Sequence, residues 1–388
     1  MNCFYNDDFF QRVLILWIMA VLIVYANNAT LVADDLGAMR STVGAYIVAR
    51  LTSNLAHLYY SFADYRHRAQ QRLWFCMAGA ALCLYIPLFM ESISLRSKIA
   101  VAAVAIAVEE SIWIFCYSPL AKKFLHAKYT TAADIPHEVD RFAAFYIIAL
   151  GEFLYWSVVG NPAAIGFNLG LLRAVWTLVI AFCLNWMYVH NDGALRGTHP
   201  LRHSIYTAFT WITLHLPLIA SLLAGGHVAA TTATGGQNEI TEPESWLLCG
   251  SIGVGLFCLY AIALLHASKD PPGLLILPKV KPFPVSLIQH DPKRKKKHLR
   301  IIMRPITGII IILLPLAHRL DLTSMLSIIM ALIVLCLVWE NVTSLRRDAQ
   351  FWEPWSDTEY PDSERGICNP TVGEHEAEIV GKRIPDSL

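Results

Sequence analysis

The sequence predicts an all-α protein, a bundle of about nine to ten helices that cross a membrane. Hydrophobic residues make up 55% of the 388-residue chain and charged residues only 16%, whereas a soluble domain carries about 25% charged residues. The mean hydropathy of the chain is +0.46. Apolar runs recur from end to end, and many approach the roughly 20 residues that a helix needs to cross a bilayer. These properties are typical of a polytopic integral membrane protein.

Ten apolar runs are candidate spans when the chain is taken in order. The ninth run is short and contains Pro315, so an alternative is that the ninth and tenth runs form one re-entrant unit. The N-terminus has no basic leader and no small-residue cleavage site, so we expect the first run to be a retained span. The candidate spans are 12–32, 43–63, 73–90, 99–120, 141–160, 168–189, 202–224, 246–267, 300–317 and 322–342.

The distribution of basic residues predicts the orientation. With the N-terminus placed on side A of the membrane, the side-A segments contain 22 Lys and Arg residues and the side-B segments contain five. Basic residues accumulate in cytosolic loops. The sequence therefore predicts that side A, and with it both termini, is cytosolic.

The chain divides into a transmembrane domain, 1–345, and a polar tail, 346–388, which we expect to be cytosolic and partly disordered. A basic cytosolic loop, 269–299, interrupts the domain and contains KRKKK at 293–297. The net charge of +1 gives no global field that would recruit nucleic acid. The nine cysteines show neither a CxxC motif nor a Cys/His ligand spacing, so no metal site and no cofactor are predicted.

The fifth run contains the feature that we take as the functional centre. It opens with a charged cluster that includes Asp140 and Arg141, and Glu152 lies near its middle. On a helix, Arg141, Phe145, Ile148 and Glu152 fall on one face. A carboxyl group at this depth is costly unless it faces a protein interior, a cavity or a partner, so it is a candidate functional group.

Other runs carry polar groups at membrane depth. Arg50, Asn54 and His57 lie on one face of the second run, and Glu109 and Glu110 lie in the fourth. Consecutive residues point about 100° apart, so at most one of these two acids is expected to face the same partner as Arg50. Further candidate site residues near these groups are Trp113, Tyr155, Trp156, Trp186, Trp211 and His215.

Each polar group also has a structural interpretation. Arg50 and one of Glu109, Glu110 or Glu152 would form an ion pair that joins two helices. His57 and His215, taken singly, are more often hydrogen-bonded core histidines than functional ones. A polar pocket across several neighbouring spans nevertheless favours function.

The pattern H-E-V-D-R-F-x(5)-I-A-L-G-E at 137–152 resembles the hallmark of the low-temperature-requirement A (LtrA-like) membrane proteins. The acidic pair at 109–110 and the His-Leu-Pro segment at 215–217 are similar to further positions of that family. The resemblance covers about residues 10 to 345, although the usual first span with its Phe-Asp/Glu-Leu-Phe-Phe motif is lacking. It implies, through fungal membrane proteins that look similar, a terpene cyclase of meroterpenoid biosynthesis in the endoplasmic reticulum.

Cyclisation of a prenyl chain needs an acid that protonates an olefin or epoxide, an apolar cavity that excludes water, and aromatic faces that stabilise carbocations. No DDxxD motif is present, so protonation is favoured over ionisation of a diphosphate. The expected substrate is a lipophilic prenylated small molecule that reaches the site through the membrane lipids. The acid is expected to be a carboxyl group that no arginine contacts. The candidate acids and bases are Glu152, Glu109, Glu110 and Asp140, and the candidate substrate-binding residues are Arg50, His57, Arg141, Trp113, Tyr155, Trp156, Trp186, Trp211 and His215.

Two other classes of function stay open. Intramembrane Glu, Arg and His also build proton-coupled transporters and ion pathways, and spans interrupted at Pro or Gly mark many such sites. Pro217 and Pro315 lie within spans, and Gly151 precedes Glu152. A membrane sensor or scaffold with a structural pocket is the third class.

Overall fold

A computed structural model describes residues 9–63, 65–127, 135–158, 166–189, 197–234, 240–268, 300–317 and 320–344. Over these residues the chain is helical except for short connections and one pair of two-residue strands, Gly197–Thr198 with Ala267–Ser268. Two 3₁₀ helices, Leu82–Phe89 and Leu314–Leu316, continue the helices that precede them. The α-helices are α1 Phe9–Ala29, α2 Leu36–Ala63, α3 Arg68–Ala81, α4 Leu95–Tyr117, α5 Pro119–Phe124, α6 Ile135–Val158, α7 Leu169–Val189, α8 Pro200–His203, α9 Ile205–Thr234, α10 Glu242–Leu265, α11 Met303–Leu313 and α12 Leu322–Ser344.

Seven helical segments in the described part of the chain are long and apolar enough to cross a membrane, which confirms the predicted all-α membrane fold. Helices α2 and α6, which match the second and fifth predicted spans, have 28 and 24 residues but carry more polar groups. The segment Met303–Leu316 is apolar but shorter, and its α-helix gives way to a 3₁₀ turn at Pro315. The seven segments are Arg12–Ala29, Arg68–Phe89, Leu95–Tyr117, Leu169–Val189, Ile205–Ala229, Glu242–Leu265 and Leu322–Thr343.

Three predictions stay untested by the structure. The basic loop 269–299 and the tail 346–388 lie outside the described residues. The side of the membrane that each terminus occupies also stays a prediction, because it rests on the distribution of charge alone.

The buried core divides between the two halves of the chain. The C-terminal half, α6 to α12, contains one large cluster with fully buried residues such as Tyr146, Leu218 and Leu256. The N-terminal half, α1 to α5, contains two small clusters, one around Tyr85 and one around Trp74. Large apolar side chains also cover the outside of the helices, as expected where the surroundings are lipid rather than water.

A buried ion pair joins the ends of four helices in the C-terminal half. Arg304 of α11, which is 2% exposed, donates to both carboxylate oxygens of Glu340 of α12, with Nε–Oε1 and Nη2–Oε2 distances of 2.6 and 2.8 Å. The same guanidinium donates to the carbonyl oxygens of Leu259 in α10 and Met187 in α7. A bidentate pair with additional backbone acceptors satisfies a buried guanidinium almost completely. Arg304 therefore links α7, α10, α11 and α12 by hydrogen bonds.

Helices α6 and α9 approach closely at a glycine. A Cβ atom at Gly226 of α9 would lie 2.7 Å from the Cα atom of Phe153 in α6, whose side chain is buried. Since backbone cannot move aside as a flexible side chain can, this contact requires glycine. Small residues allow this kind of close approach between helices in membranes.

We expect Gly226→Ala to lower the stability of the protein, because the added methyl group forces α6 and α9 apart. Overpacking of this kind costs about 1–3 kcal/mol. Thermal unfolding of the purified chain in detergent, followed by circular dichroism, measures the loss. Gly151→Ala in α6 is the matched control, since a Cβ atom there meets nothing within 4 Å. Equal melting temperatures for the two variants would contradict the packing described.

Candidate functional site

An ion pair between α2 and α4 lies at the centre of the N-terminal half. The Nη2 atom of Arg50 is 3.2 Å from Oε2 of Glu109, and its Nε atom is 3.4 Å from Oε1. The hydroxyl group of Tyr46 donates to Oε2 of Glu109 at 2.5 Å. Tyr46 and Arg50 are four residues apart, so both side chains leave the same face of α2. Of the three acids considered as partners for Arg50, the structure selects Glu109.

A cavity of about 540 Å³ adjoins this ion pair. Helices α1, α2 and α4 and the 3₁₀ helix Leu82–Phe89 form its walls, and α9 contributes Leu216. The polar lining residues are Thr42, Arg50, Lys98, Glu109 and Glu110, and the tyrosines are Tyr25, Tyr46 and Tyr85. The apolar lining residues are Ala29, Val32, Met39, Val43, Leu88, Leu95, Ile99, Ala102, Ile106 and Leu216.

Helical periodicity explains how α2 and α4 build this cavity. On α2 the lining residues Met39, Val43, Tyr46 and Arg50 follow one another at steps of three or four. On α4 the lining residues Lys98, Ala102, Ile106 and Glu109 do the same. Each helix thus presents one continuous stripe to the cavity: the α2 stripe ends at Arg50, and the α4 stripe is apolar between Lys98 and Glu109.

The two neighbouring acids of α4 have different surroundings. Glu109 is 7% exposed and is held by Arg50 and Tyr46. Glu110 is partly buried and also lines the cavity, and within the described part of the chain no ion pair or side-chain hydrogen bond reaches it. The cavity therefore contains one carboxyl group paired with arginine and one without such a partner.

Two other predicted site residues of the N-terminal half lie outside this cavity. The ring nitrogen Nδ1 of His57 is hydrogen-bonded to the Gln71 side chain, and its ring lies 5.6 Å from that of Trp74. Trp113 packs edge-on against Phe209 of α9, with ring centroids 5.0 Å apart. His57 thus joins α2 to α3, and Trp113 joins the two halves of the chain.

Trp211 and His215 lie in the core of the C-terminal half. His215 is 1% exposed; its Nδ1 atom is 2.7 Å from the Trp211 carbonyl oxygen, and its Nε2 atom is 3.0 Å from the Tyr188 hydroxyl group. Phe142 packs on both rings. Both ring nitrogens of His215 are satisfied, as the structural interpretation of this histidine requires. Trp186 lies apart from this cluster against Phe182, with ring centroids 5.9 Å apart.

The predicted centre on α6 does not meet the cavity. Glu152, Asp140, Arg141 and Tyr155 are exposed on the surface of α6, and none of them is among the cavity-lining residues. The side chain of Trp156 lies outside the described residues. The candidate site residues are therefore dispersed over the structure, and among those whose side chains are described only Arg50, Glu109 and Glu110 line the cavity.

Several cavity residues escaped prediction from the sequence. Tyr46 and Tyr85 were indistinguishable from the many packing aromatics, although their rings lie 5.1 Å apart in the cavity wall. Lys98 precedes the candidate span 99–120 by one residue, so it was not among the polar groups considered at membrane depth. Tyr46 lies one turn before Arg50 on the same face of α2, and this spacing is the signal that could have found it.

The fold and this cavity define a class of protein: a polytopic helical membrane protein with a charged, membrane-embedded cavity. The model of the bacterial low temperature requirement A protein (LtrA) family matches residues 1–339 of the chain. The chain therefore belongs to the LtrA family, as the motif at 137–152 predicts. No curated protein and no solved structure matches the chain.

We expect the Arg50–Glu109 pair to contribute measurably to stability, because Glu109 is buried and pairs with no other cation among the described residues. In a double-mutant cycle with Arg50→Met and Glu109→Gln, the expected coupling is about 1–3 kcal/mol, so that the double variant loses less stability than the sum of the two single losses. Chemical unfolding in detergent micelles measures the four free energies of unfolding. A cycle with no coupling would show that the pair contributes nothing to stability.

Proposed function

We propose that the cavity binds a lipophilic prenylated small molecule and that the chain is an integral-membrane terpene cyclase, which starts cyclisation by protonating the prenyl chain. The observation that carries the proposal is the pair of carboxyl groups, one paired with arginine and one not, at the deep end of a mostly apolar cavity.

The size and lining of the cavity support binding of such a molecule. Small-molecule sites commonly measure about 300–1,000 Å³ and are mostly apolar with a few placed polar groups. A prenylated substrate partitions into the bilayer, so a site among membrane helices is accessible to it. The apolar walls would exclude water, which otherwise quenches a carbocation early.

The two acids suit different roles. Glu109 is held by Arg50 and Tyr46, whereas within the described part of the chain Glu110 has no such partner. We therefore assign the proton donor to Glu110. Its proton forms the new C–H bond with the π electrons of the terminal olefin, ring C–C bonds form in turn, and the final cation loses a proton to Glu109 or back to Glu110. The product is an isomer of the substrate, and no oxidant or cofactor is consumed.

Aromatic residues of the cavity would stabilise the cationic intermediates. The rings of Tyr46 and Tyr85 lie together in the wall, next to the acidic end. Their faces attract cations. Tyr25 of α1 contributes a third ring to the lining.

Glu110→Gln is expected to abolish product formation while leaving the fold intact, because glutamine retains the shape of the side chain but cannot donate the acid proton. Membranes that contain the chain are incubated with a linear farnesylated phenol in deuterated water, and mass spectrometry follows an isomer of altered retention. The wild-type product is expected to carry one new deuterium.

Glu152→Gln is the matched comparison, because this acid lies on the surface of α6 and outside the cavity. It is expected to retain product. Loss of product in Glu152→Gln together with wild-type turnover in Glu110→Gln would move the site to α6. Absence of any isomer from the wild-type protein, across several prenyl lengths, would overturn the cyclase proposal.

Proton-coupled transport is the second candidate function, and the Arg50–Glu109 pair inside a cavity favours it, since such pairs also occur in proton pathways. Reconstituted liposomes with an internal pH dye distinguish the two functions. Proton flux that Glu110→Gln stops, without formation of an isomer, would favour the transporter.

A further inference from the structure

Lys98 is a buried cation at the end of the cavity opposite the carboxyl groups. It lies in the first turn of α4, is 6% exposed, and lines the cavity. Among the residues that the structure describes, no carboxylate pairs with its ammonium group and no hydrogen bond involves its side chain. Its neighbour Arg96, in the same turn, is exposed.

The side chain of Lys98 is mostly buried among apolar residues, and an ammonium group in such surroundings is stabilised by a counterion. Thr42, which also lines the cavity, is 7% exposed, and its hydroxyl oxygen has no hydrogen-bond partner within the described part of the chain. An anion in the cavity would provide the missing partner for the Lys98 ammonium group.

The charges of the cavity fit one additional negative group. Arg50 and Lys98 are cations, and Glu109 neutralises Arg50. Glu110 lies at the other end of the cavity, so among the described residues no carboxylate lies beside Lys98. Contact between Lys98 and Glu110 is excluded by distance, because the twelve steps along α4 from one to the other correspond to about 18 Å of helix.

The path between the two ends is apolar. From Lys98 to Glu109, α4 rises by about 16 Å, and Ile99, Ala102 and Ile106 line the cavity over this length. Such a shape suits a chain-like molecule with a charged group at one end, rather than a compact polar one. The site thus has one position for a head group and one for the end of a tail.

We propose that the cavity takes an amphiphile with an acidic head group, a carboxylate or a phosphate, which pairs with Lys98 while its prenyl or acyl tail extends along α4 toward Glu110. Binding of the acid requires only the cavity and Lys98. The position of the tail end at a proton donor rests on the proposed function. Under the predicted topology the head group lies at the side-B end of α4.

The test measures binding to the purified full-length chain in nanodiscs of phosphatidylcholine. The probe is cis-parinaric acid, whose fluorescence rises in apolar sites, and the competitors are farnesoic acid, its methyl ester and dodecyl phosphate. We expect farnesoic acid and dodecyl phosphate to compete at least about tenfold better than the ester, because an ion pair with a buried ammonium group contributes more than about 1.4 kcal/mol. Equal competition by acid and ester at the wild-type protein would overturn the proposal, and this comparison needs no variant.

Variants locate the interaction. Lys98→Gln is expected to remove the preference for the acid, whereas Lys98→Arg and the matched control Arg96→Gln are expected to retain it. A Lys98→Gln protein that keeps the wild-type melting temperature and the preference would overturn the assignment to Lys98. If Lys98→Gln does not fold, the wild-type protein and Lys98→Arg replace it in the test. Both are expected to prefer the acid over the ester at low salt and to lose this preference in 1 M salt. A preference that salt does not change would contradict an ion pair at Lys98.

Two further measurements distinguish a membrane lipid from a free acid as the ligand, and binding of the acid from cyclisation. Displacement of the probe by nanodiscs that contain phosphatidic acid identifies a membrane lipid as the occupant, and displacement only by the free acids identifies a prenyl or fatty acid. Glu110→Gln is expected to keep the preference for the acid and to lose cyclisation. A wild-type protein that prefers the acid but forms no isomer would therefore contradict the proposed function alone.

Discussion

In a membrane, a charge inside the protein needs a partner or a cavity, because the lipid tails around the helices supply no counterion and no hydrogen bond. This constraint determines much of the structure. Arg304 is nearly inaccessible, and it is tolerated because Glu340 and the carbonyl oxygens of two further helices surround it. Arg50 and Glu109 apply the same rule between α2 and α4, with one difference: the side chain of Arg50 is 33% exposed and borders a cavity. One ion pair closes a core, and the other lines a space that a ligand can enter.

The two ion pairs lie in different surroundings, one in the packed C-terminal half and one beside the cavity of the N-terminal half. The C-terminal half packs continuously around residues such as Leu218 and Leu256, and its histidine at 215 is fully hydrogen-bonded. The N-terminal half has smaller buried clusters and holds the cavity. Leu216 in the cavity wall and the contact of Trp113 with Phe209 connect the halves. The C-terminal half therefore supports one wall of a site that the N-terminal half forms.

The cavity contains two acids and two cations, but only one acid and one cation form an ion pair with each other. Glu109 pairs with Arg50, and among the described residues Glu110 has no cation and Lys98 no anion beside it. Glu110 and Lys98 lie at opposite ends of an apolar passage, and the length of α4 between them excludes a direct contact. A ligand with an acidic head group and an apolar tail would pair with Lys98 and bring the end of its tail to Glu110, the proposed proton donor. One ligand would thus contact Lys98 with its acidic head group and Glu110 with the end of its tail.

The sequence by itself determined the membrane-spanning helical class and indicated the family, and it offered an ion pair of Arg50 with one of three acids as one interpretation. Length, hydropathy and the cost of a buried charge are properties of single segments, so they are readable without a fold. It did not determine which acid pairs with Arg50, because periodicity gives the face of a helix but not the neighbour of that face. On α6 the same argument singled out Glu152, yet that face is on the surface, and the buried face is the one with Phe153. The sequence did not single out Lys98, since its burial depends on how α1, α2 and the 3₁₀ helix Leu82–Phe89 pack around the first turn of α4. Only the tertiary structure, through the rotation and adjacency of the helices, decided which polar groups share a cavity.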